Sequence, residues 1–374
     1  MSLRALLLLL LLLLWPAPAA AQPAPAAAQP VPVWLQIVRD TPLWSGPIDP
    51  AEQFTRLPRG AYALLQSNGL YRSLVYYPGD GVSRQPGVAW INTQDVQPSN
   101  APPWIATSEL DGAAALPAAR DAPRRLAYLA PPQVTAPEVA VVDDTTGLLL
   151  YGQAAHARES PASTTKVLTA LLALERAPSL DTTVPITVDG WAMAAADGSS
   201  VMGLVPGRRL TLRTLLYGLL LPSGNDAAEQ LARSLDESRT GFVAAMNDRV
   251  AELGLRDTHF VNPSGVDAQS HYASAYDLAQ LARVAMRDDT FRSIVATPAY
   301  AGEGFELRGH NPLIGAYPDA DGVKTGTTDQ AGHVIVASAV RAEHRLYVVV
   351  MHSDDLLGDC TALFDWAWSS FGWD

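Results

Sequence analysis

The chain has 374 residues, a formal net charge of -12 and a single cysteine, Cys360. Its length suits about two domains of roughly 150 residues each. One cysteine allows no intrachain disulfide and no Cys-based metal or redox centre, and an acidic balance without any basic run argues against a nucleic-acid partner. The histidines show no metal-ligand spacing, and neither GxGxxG nor GxxxxGK[ST] occurs. We therefore expect no metal and no organic cofactor.

The basic residues are unusually uniform. All but two of the 26 Lys and Arg residues are arginine, and the exceptions are Lys166 and Lys324. Arginine stays protonated in proteins, whereas a buried lysine can lose its proton. Both lysines are therefore candidates for chemistry.

The first 32 residues have the pattern of an export signal and a linker. Arg4 precedes an apolar run at 5–15, and three alanines at 19–21 form a small-residue cleavage site. Residues 1–21 are thus predicted to be a signal peptide, with an uncleaved anchor as the alternative, and residues 22–32 an Ala/Pro linker. We expect a protein exported to the cell envelope, in the periplasm or outside the cell.

Short β-prone runs at 33–38, 62–66, 71–77 and 88–91 predict a small all-β module over 33–98. The segments 42–47, 57–60 and 89–91 resemble the landmarks of a bacterial SH3-like barrel, which implies a cell-wall peptide as ligand. A barrel that serves only as a spacer is the alternative. A second Pro/Ala-rich linker, 99–132, follows.

Residues 133–374 predict an α+β catalytic domain. Runs at 138–143 and 148–151 flank a turn and form a hairpin, and helical periodicity covers 163–177, 211–221, 226–235, 240–253 and 275–287. Three strands at 322–327, 333–340 and 345–352 precede a short helix at 361–368. The first hairpin is expected to join the last three strands in one five-stranded antiparallel sheet.

Ser163 and Lys166 form an SxxK pattern at the start of the first predicted helix. Residues at i and i+3 share a helix face, and free N–H groups in the first turn favour developing negative charge. A hydroxyl needs a base before it can attack, and a lysine of lowered pKa can be that base. An N-cap serine beside a solvated lysine is the alternative.

Two later segments add polar groups. Pro222 and Gly224 break the helical pattern, so that Ser223 and Asn225 are predicted to lie on a loop, where they could relay a proton and bind a substrate amide; ordinary turn and N-cap material is the alternative.

Lys324, Thr325 and Thr327 open the last group of strands, beside a glycine that would let a ligand approach. Substrate could add to this strand, with Lys324 supplying positive charge and the N–H groups of Thr327 and Ser163 forming an oxyanion hole. An exposed strand lysine is the alternative.

The ordered set SxxK, SxN and KTG resembles that of penicillin-binding proteins and class A β-lactamases. Residues 135–370 resemble the serine D-Ala-D-Ala carboxypeptidases of the peptidase S11 type. The resemblance also rests on the sequence around 140–147, 253–263, 272–281 and 321–337. The resemblance implies a β-lactamase/transpeptidase-like fold, with helices on both faces of the sheet and a helical subdomain.

The same resemblance implies the chemistry. Ser163 would be acylated, with Lys166 as its base and Ser223 as a second catalytic hydroxyl. Asn225 would hold the substrate amide, while Lys324 and Thr325 would bind its carboxylate end. The implied substrates are peptidoglycan stem peptides, which lose their terminal D-Ala, and β-lactams would acylate the same serine.

Three departures from the family pattern qualify that reading. Thr327 follows KTG where an aromatic residue or histidine is common, and Ser264 follows Asn-Pro where histidine or threonine is common. No Lys or Arg follows Arg345, although the family usually has an arginine after the last strand. The missing cation favours D,D-endopeptidase action on cross-links as an alternative, and no cationic C-terminal membrane anchor is evident.

Three other functions are less consistent with the motifs. A class A β-lactamase needs an ExxxN arrangement, which none of the five glutamates between the second and third motifs provides. A non-catalytic wall-binding protein would not need the complete motif set. A general serine esterase of the α/β-hydrolase type would carry GxSxG, which is absent.

Overall fold

The computed structural model describes residues 34–44, 53–57, 62–68, 72–77, 87–99, 123–126 and 129–373. The predicted signal peptide and first linker, and most of the second linker, lie outside these residues. Among the described residues, no helix combines the length and the apolar character needed to cross a membrane.

Seven short strands form one antiparallel sheet near the start of the described chain, in the order β3-β2-β6-β5-β4-β1-β7. They are β1 (Trp34–Ile37), β2 (Thr41–Trp44), β3 (Gln53–Leu57), β4 (Tyr62–Asn68), β5 (Arg72–Tyr77), β6 (Gly87–Asn92) and β7 (Val96–Ser99). A 3₁₀ turn, Thr93–Asp95, joins the last two. The four predicted strands are confirmed. Apolar residues of the sheet are buried together: Leu35, Ile37, Leu43, Val75 and Ile91.

The remaining strands form the main sheet and three two-stranded ribbons. They are β8 (Arg124–Arg125), β9 (Glu138–Asp143), β10 (Leu149–Gln153), β11 (Thr183–Pro185), β12 (Arg209–Thr211), β13 (Ala299–Gly302), β14 (Phe305–Arg308), β15 (Ala320–Thr328), β16 (Gly332–Arg341), β17 (His344–Met351) and β18 (Phe371–Gly372). The five-stranded antiparallel sheet has the order β10-β9-β17-β16-β15, so the predicted union of the first hairpin with the last three strands is confirmed. In the hairpin turn, the Asp143 carboxylate accepts the backbone N–H and the hydroxyl of Thr146.

Eight α-helices are described, and the five predicted from periodicity are confirmed. They are α1 (Lys166–Arg176), α2 (Gly190–Asp197), α3 (Leu212–Leu220), α4 (Asn225–Leu235), α5 (Arg239–Glu252), α6 (Ala275–Ala285), α7 (Asp289–Val295) and α8 (Leu356–Ser370). The predicted helix at 361–368 is longer than expected because the Asp355 side chain caps it at the N-terminus. Helices α2 and α7 were not predicted.

Both faces of the main sheet are covered, which explains why its strands are apolar at nearly every position. Helix α6 packs against β9 and β17, and α8 packs on β16 and β17. Alternate residues of the same strands belong to two separate buried clusters, one containing Val142, Val336 and Val349, the other Val141, Ile335 and Val348. Helix α1 lies in the first cluster and is buried from Lys166 to Ala173. Lys166 is therefore held deep inside the domain, whereas Ser163 is half-buried.

Candidate active site

The SxxK pattern spans a change of helix type. Ser163 lies in a 3₁₀ turn, Ala162–Thr165, and Lys166 is the first residue of α1. Side chains at i and i+3 eclipse each other in a 3₁₀ helix, so this turn places the two functional groups side by side. The turn is tightly enclosed, because a Cβ on Gly265 would lie 1.8 Å from the Ala162 carbonyl oxygen.

The Lys166 amine is wholly buried among three oxygen atoms. Its Nζ lies 2.7 Å from Ser163 Oγ, 2.7 Å from Asn225 Oδ1 and 2.6 Å from the Ser264 carbonyl oxygen. Burial lowers the pKa of this amine well below 10.5, the positive charge of Lys324 lowers it further, and Asp226 opposes the shift.

The contacts of Lys166 fix the direction of its lone pair. A neutral amine has two N–H donors and one lone pair, and the Asn225 amide oxygen and the Ser264 carbonyl can only accept. The two N–H groups therefore point to these oxygens, and the lone pair faces Ser163 Oγ. This arrangement suits transfer of the hydroxyl proton to the amine.

Ser223 is a strained and unsatisfied serine. Its φ is +63°, a region that non-glycine residues rarely adopt, and its side chain is almost fully buried. Its hydroxyl oxygen has no hydrogen-bond partner among the residues that the structure describes. Buried hydroxyls are normally paired, and strained residues are concentrated at functional sites.

The second motif, Ser223 to Asn225, lies partly in a loop and partly in a helix. Ser223 precedes α4 as predicted, but Asn225 is the first residue of that helix, so its predicted loop position was wrong. Gly224 takes the N-cap position, and the Asn225 backbone N–H is satisfied by the Ser200 carbonyl at 2.7 Å. Beyond its contact with Lys166, the Asn225 amide donates to Ser199 Oγ at 3.1 Å. The helix start thus fixes the amide against the lysine.

Lys324 and Thr325 lie on β15, an edge strand of the main sheet. Lys324 is almost wholly buried and donates to the Thr325 carbonyl at 2.7 Å, and burial lowers its pKa to about 7. Among the described residues, no carboxylate lies within ion-pair distance of it. The strand's free edge is compatible with addition of an extended peptide.

Gly326 and Thr327 lie next to the 3₁₀ turn that contains Ser163. A Cβ on Gly326 would stand 2.7 Å from Ser163 N and 2.8 Å from the Ala162 Cβ. The absence of a side chain therefore allows the turn that contains Ser163 to approach the strand, whereas the sequence predicted that a glycine here would allow a ligand to approach. Thr327 is exposed, and its hydroxyl pairs with His333 Nδ1 at 3.0 Å. The role of its backbone N–H in an oxyanion hole stays a prediction.

Three residues around the site, Asn262, Asp226 and His271, were not singled out from the sequence. Asn262 Oδ1 accepts the N–H groups of Ser264 and Gly265, and this turn aims the Ser264 carbonyl at Lys166. The buried Asp226 carboxylate accepts three consecutive N–H groups of the loop at 202–204, each at 2.9 Å. That loop borders the Asn225 contacts. The only signal for Asp226 was its place in ordinary N-cap material.

His271 contacts the last residue of the 3₁₀ turn that contains Ser163. Its Nδ1 accepts the Val261 N–H at 3.0 Å, so its Nε2 is the protonated nitrogen and donates to Thr165 Oγ1 at 2.9 Å. Burial lowers the pKa of this imidazole to about 4, and it is therefore neutral at pH 7. It positions the residue that precedes Lys166.

The charged side chains near the last strand form contacts within the fold. Arg345 pairs with Asp321 and Ser338 through one guanidinium nitrogen. Asp359 accepts from Thr135, and Asp355 caps α8, so these two carboxylates serve the fold. Among the described residues, neither Lys166 nor Lys324 forms an ion pair.

Comparison with known proteins gives consistent matches. A family model described as D-alanyl-D-alanine carboxypeptidase matches residues 126–355. The chain is 34% identical over 239 residues to D-alanyl-D-alanine carboxypeptidase DacF of Bacillus subtilis, covering 62% of this chain and 61% of that protein. It is 35% identical over 253 residues to DacD of Escherichia coli, covering 64% and 65%. The chain thus spans less than two thirds of the length of these relatives.

A solved structure extends the match to the fold. The crystal structure of the Streptomyces K15 DD-transpeptidase aligns with a TM-score of 0.62 at 31% identity, over 64% of this chain and 100% of that one.

Proposed function

The chain belongs to peptidase S11, the D-alanyl-D-alanine carboxypeptidase family, and from this premise we propose that it is a serine D,D-peptidase of peptidoglycan. It removes the terminal D-Ala from stem peptides through an acyl-enzyme on Ser163. The observation that best supports this proposal is the 2.7 Å contact between the wholly buried Lys166 Nζ and the Oγ of the half-buried Ser163.

Acylation begins with proton transfer. Neutral Lys166 takes the Ser163 proton as Oγ attacks the carbonyl carbon of the penultimate D-Ala. The N–H groups of Ser163 and Thr327 stabilise the developing oxyanion. The proton then passes to the leaving D-Ala nitrogen as the peptide C–N bond breaks, leaving an ester on Ser163.

Ser223 is the proposed relay for that proton. Its hydroxyl has a free donor and free acceptor positions, because no described residue pairs with it. A hydroxyl can accept the proton of Lys166 on one side while donating its own to the leaving nitrogen on the other. The strained backbone holds it in this place.

Substrate is proposed to bind along the edge strand β15. The Lys324 amine and the Thr325 hydroxyl meet the substrate's carboxylate end, and the Asn225 amide holds a substrate amide by exchanging its contact with Ser199. Asn225 Oδ1 keeps Lys166 oriented throughout.

In deacylation, Lys166 takes a proton from water as the water oxygen attacks the ester carbonyl carbon, and the proton then passes to Ser163 Oγ as the ester C–O bond breaks. Among the described residues, no Asp or Glu side chain forms a hydrogen bond to Ser163 or Lys166, so nothing supports a second, carboxylate base of the β-lactamase type. We expect β-lactams to acylate Ser163 and to stay bound.

A D,D-endopeptidase acting on peptide cross-links is the second candidate. It is favoured by the absence of any Lys or Arg after Arg345, together with the pairing of Arg345 to Asp321. A weaker hold on a free terminal carboxylate would relax the preference for a terminal D-Ala.

The amino-terminal sheet is proposed to be an SH3-like domain that binds cell-wall peptides, with a spacer as the alternative. The 3₁₀ turn between β6 and β7 and the buried apolar centre support an SH3-like barrel. With the signal peptide predicted at 1–21, we propose export to the cell envelope.

A fluorescent penicillin tests the enzyme proposal. Wild type should be labelled stoichiometrically, Ser163→Ala should not be labelled, and Ser179→Ala, an exposed serine outside the site, should behave as wild type. An unlabelled wild type would refute the proposal, and rapid nitrocefin turnover would indicate a β-lactamase. Mass spectrometry of pentapeptide and cross-linked muropeptides would show which bond breaks.

A further inference from the structure

The Asp267 carboxylate connects three segments of the chain. Its Oδ1 accepts the Ser160 hydroxyl at 2.6 Å and the Thr328 hydroxyl at 2.7 Å. Its Oδ2 accepts the Gln330 backbone N–H at 3.0 Å. These partners lie 107, 61 and 63 positions away along the chain, so the contacts depend on the tertiary fold.

Two of these segments carry the proposed nucleophile and a contact of its base. Ser160 lies three residues before Ser163, in the segment that leads into the 3₁₀ turn. Asp267 lies three residues after Ser264, whose carbonyl accepts a hydrogen bond from the Lys166 amine. The hydrogen bond from Ser160 to Asp267 therefore joins the segment before the nucleophile to the loop that orients the base.

The third segment is the end of the edge strand β15. Thr328 is the last residue of this strand and follows Thr327, whose N–H is the proposed oxyanion donor. The Thr328 hydroxyl donates to Asp267 and accepts the Ala331 N–H at 3.1 Å, so it connects the turn after the strand to the carboxylate. Among the described residues, no strand lies along the free edge of β15, where substrate is proposed to bind. Asp267 contacts the strand at its end and leaves that edge open.

Asp267 acts as an anion that accepts hydrogen bonds. Among the described residues, no Lys or Arg forms an ion pair with it. Partial burial raises the pKa of its carboxyl, but the hydrogen bonds from Ser160, Thr328 and Gln330 outweigh burial and hold this pKa below 3.8. The two oxygens of an ionised carboxylate only accept hydrogen bonds, so they suit three donors at once.

Resting on the proposed function, we propose that Asp267 is a positioning residue for acylation. It holds the end of β15 against the segment before Ser163 and thereby keeps the Thr327 N–H where the oxyanion develops. Oxyanion donors stabilise the transition state only when they are already oriented, so a small displacement of this strand lowers the rate of acylation. Lys324 and Thr325 lie earlier on the strand and are paired with β16, so the first binding step changes little.

Saturation kinetics with benzylpenicillin test this role, because they separate the dissociation constant of the first complex from the rate constant of acylation. Asp267→Asn keeps the shape of the side chain but leaves one accepting oxygen for three donors. We expect the acylation rate constant to fall at least about tenfold, while the dissociation constant changes less than about twofold. Asp329→Asn removes the same charge from an exposed residue of the same turn and should match wild type in both constants.

Thr328 allows a second test of the same contact. Thr328→Ser keeps the hydroxyl and should keep the acylation rate, whereas Thr328→Val removes it and should lower the rate as Asp267→Asn does. The double variant, Asp267→Asn with Thr328→Val, should lose no more than the larger single loss, because both changes break one contact. Additive losses would overturn the proposed action through Thr328. Equal rates for the two Thr328 variants would overturn it even where Asp267→Asn does not fold.

A merely structural role has a different result from a positioning role. It would reduce the fraction of protein that reacts, through unfolding, and would leave the rate constant of the reacting fraction unchanged. That outcome would overturn the inference. A wild type that is never acylated would refute the proposed function, whereas equal acylation rate constants in wild type and Asp267→Asn would refute this inference alone.

Discussion

Gly326 on β15 and Ser163 in the 3₁₀ turn are packed so closely that a Cβ on the glycine would lie 2.7 Å from the serine nitrogen. The edge strand therefore packs directly against the turn that contains the proposed nucleophile. Any side chain at this glycine must move the strand away from the serine, because the atoms it meets are the Ser163 nitrogen, the Ala162 Cβ and the Pro161 carbonyl oxygen, none of which can rotate away.

Gly326→Ala is expected to abolish penicillin acylation while the protein still folds, with a loss of about 1–3 kcal/mol in the free energy of unfolding. Acylation is measured with fluorescent penicillin and stability by urea unfolding. Gly254→Ala is the control, since its φ of +67° makes alanine unfavourable but nothing lies within 4 Å. That variant should lose stability and keep acylation. Normal labelling of Gly326→Ala would show that the strand can move without harm.

Much of the fold and part of the site could be predicted because side-chain chemistry encodes them. The buried strands and helix α1 are visible in their apolar pattern, and Ser163, Lys166 and Lys324 in their spacing. The Ser264 carbonyl could not be predicted, because a backbone oxygen has no residue type. Its direction depends on the Asn262 turn, which forms only in the folded chain.

The loop position assigned to Asn225 was wrong for a related reason. Pro222 and Gly224 do break the helix, but the following helix starts at once because Gly224 can serve as its N-cap. The closeness of Asn225 to Lys166, across 59 positions of sequence, comes from tertiary packing alone.

Lys166→Arg is predicted to be inactive in acylation although charge and approximate length are kept. Arginine cannot become the neutral base, and its larger head does not fit among three oxygens at 2.6–2.7 Å from Nζ. Lys324→Arg should reduce the rate less, because the role proposed for this position is to supply a positive charge, which arginine keeps. The second-order rate of penicillin acylation separates the two variants. Near-normal acylation in Lys166→Arg would exclude lysine as the base.

The pH dependence of kcat/KM should be bell-shaped. Lys166 must be neutral, and burial and Lys324 lower its pKa well below 10.5, so activity rises as pH climbs through that lowered value. Lys324 must be charged, and burial lowers its pKa to about 7, so activity falls as pH rises above this value.

Lys324→Arg provides the check on that assignment. Arginine keeps its charge throughout, so the alkaline limb should disappear while the acid limb remains. Peptide hydrolysis followed from acid to alkaline pH distinguishes the two limbs. An alkaline limb that persists in the variant would belong to another group.

Ser223→Gly should stabilise the protein while it damages activity. Ser223→Gly relieves the strain of a φ of +63° and removes the hydroxyl, and Ser223→Ala removes the hydroxyl but keeps the strain. Both variants should lose about 10²–10⁴-fold in peptide turnover if the hydroxyl relays the proton. The glycine variant alone should gain stability, by about 1 kcal/mol in urea unfolding. Full turnover in either variant would remove Ser223 from the mechanism, and equal stability of the two would mean that the backbone is not strained.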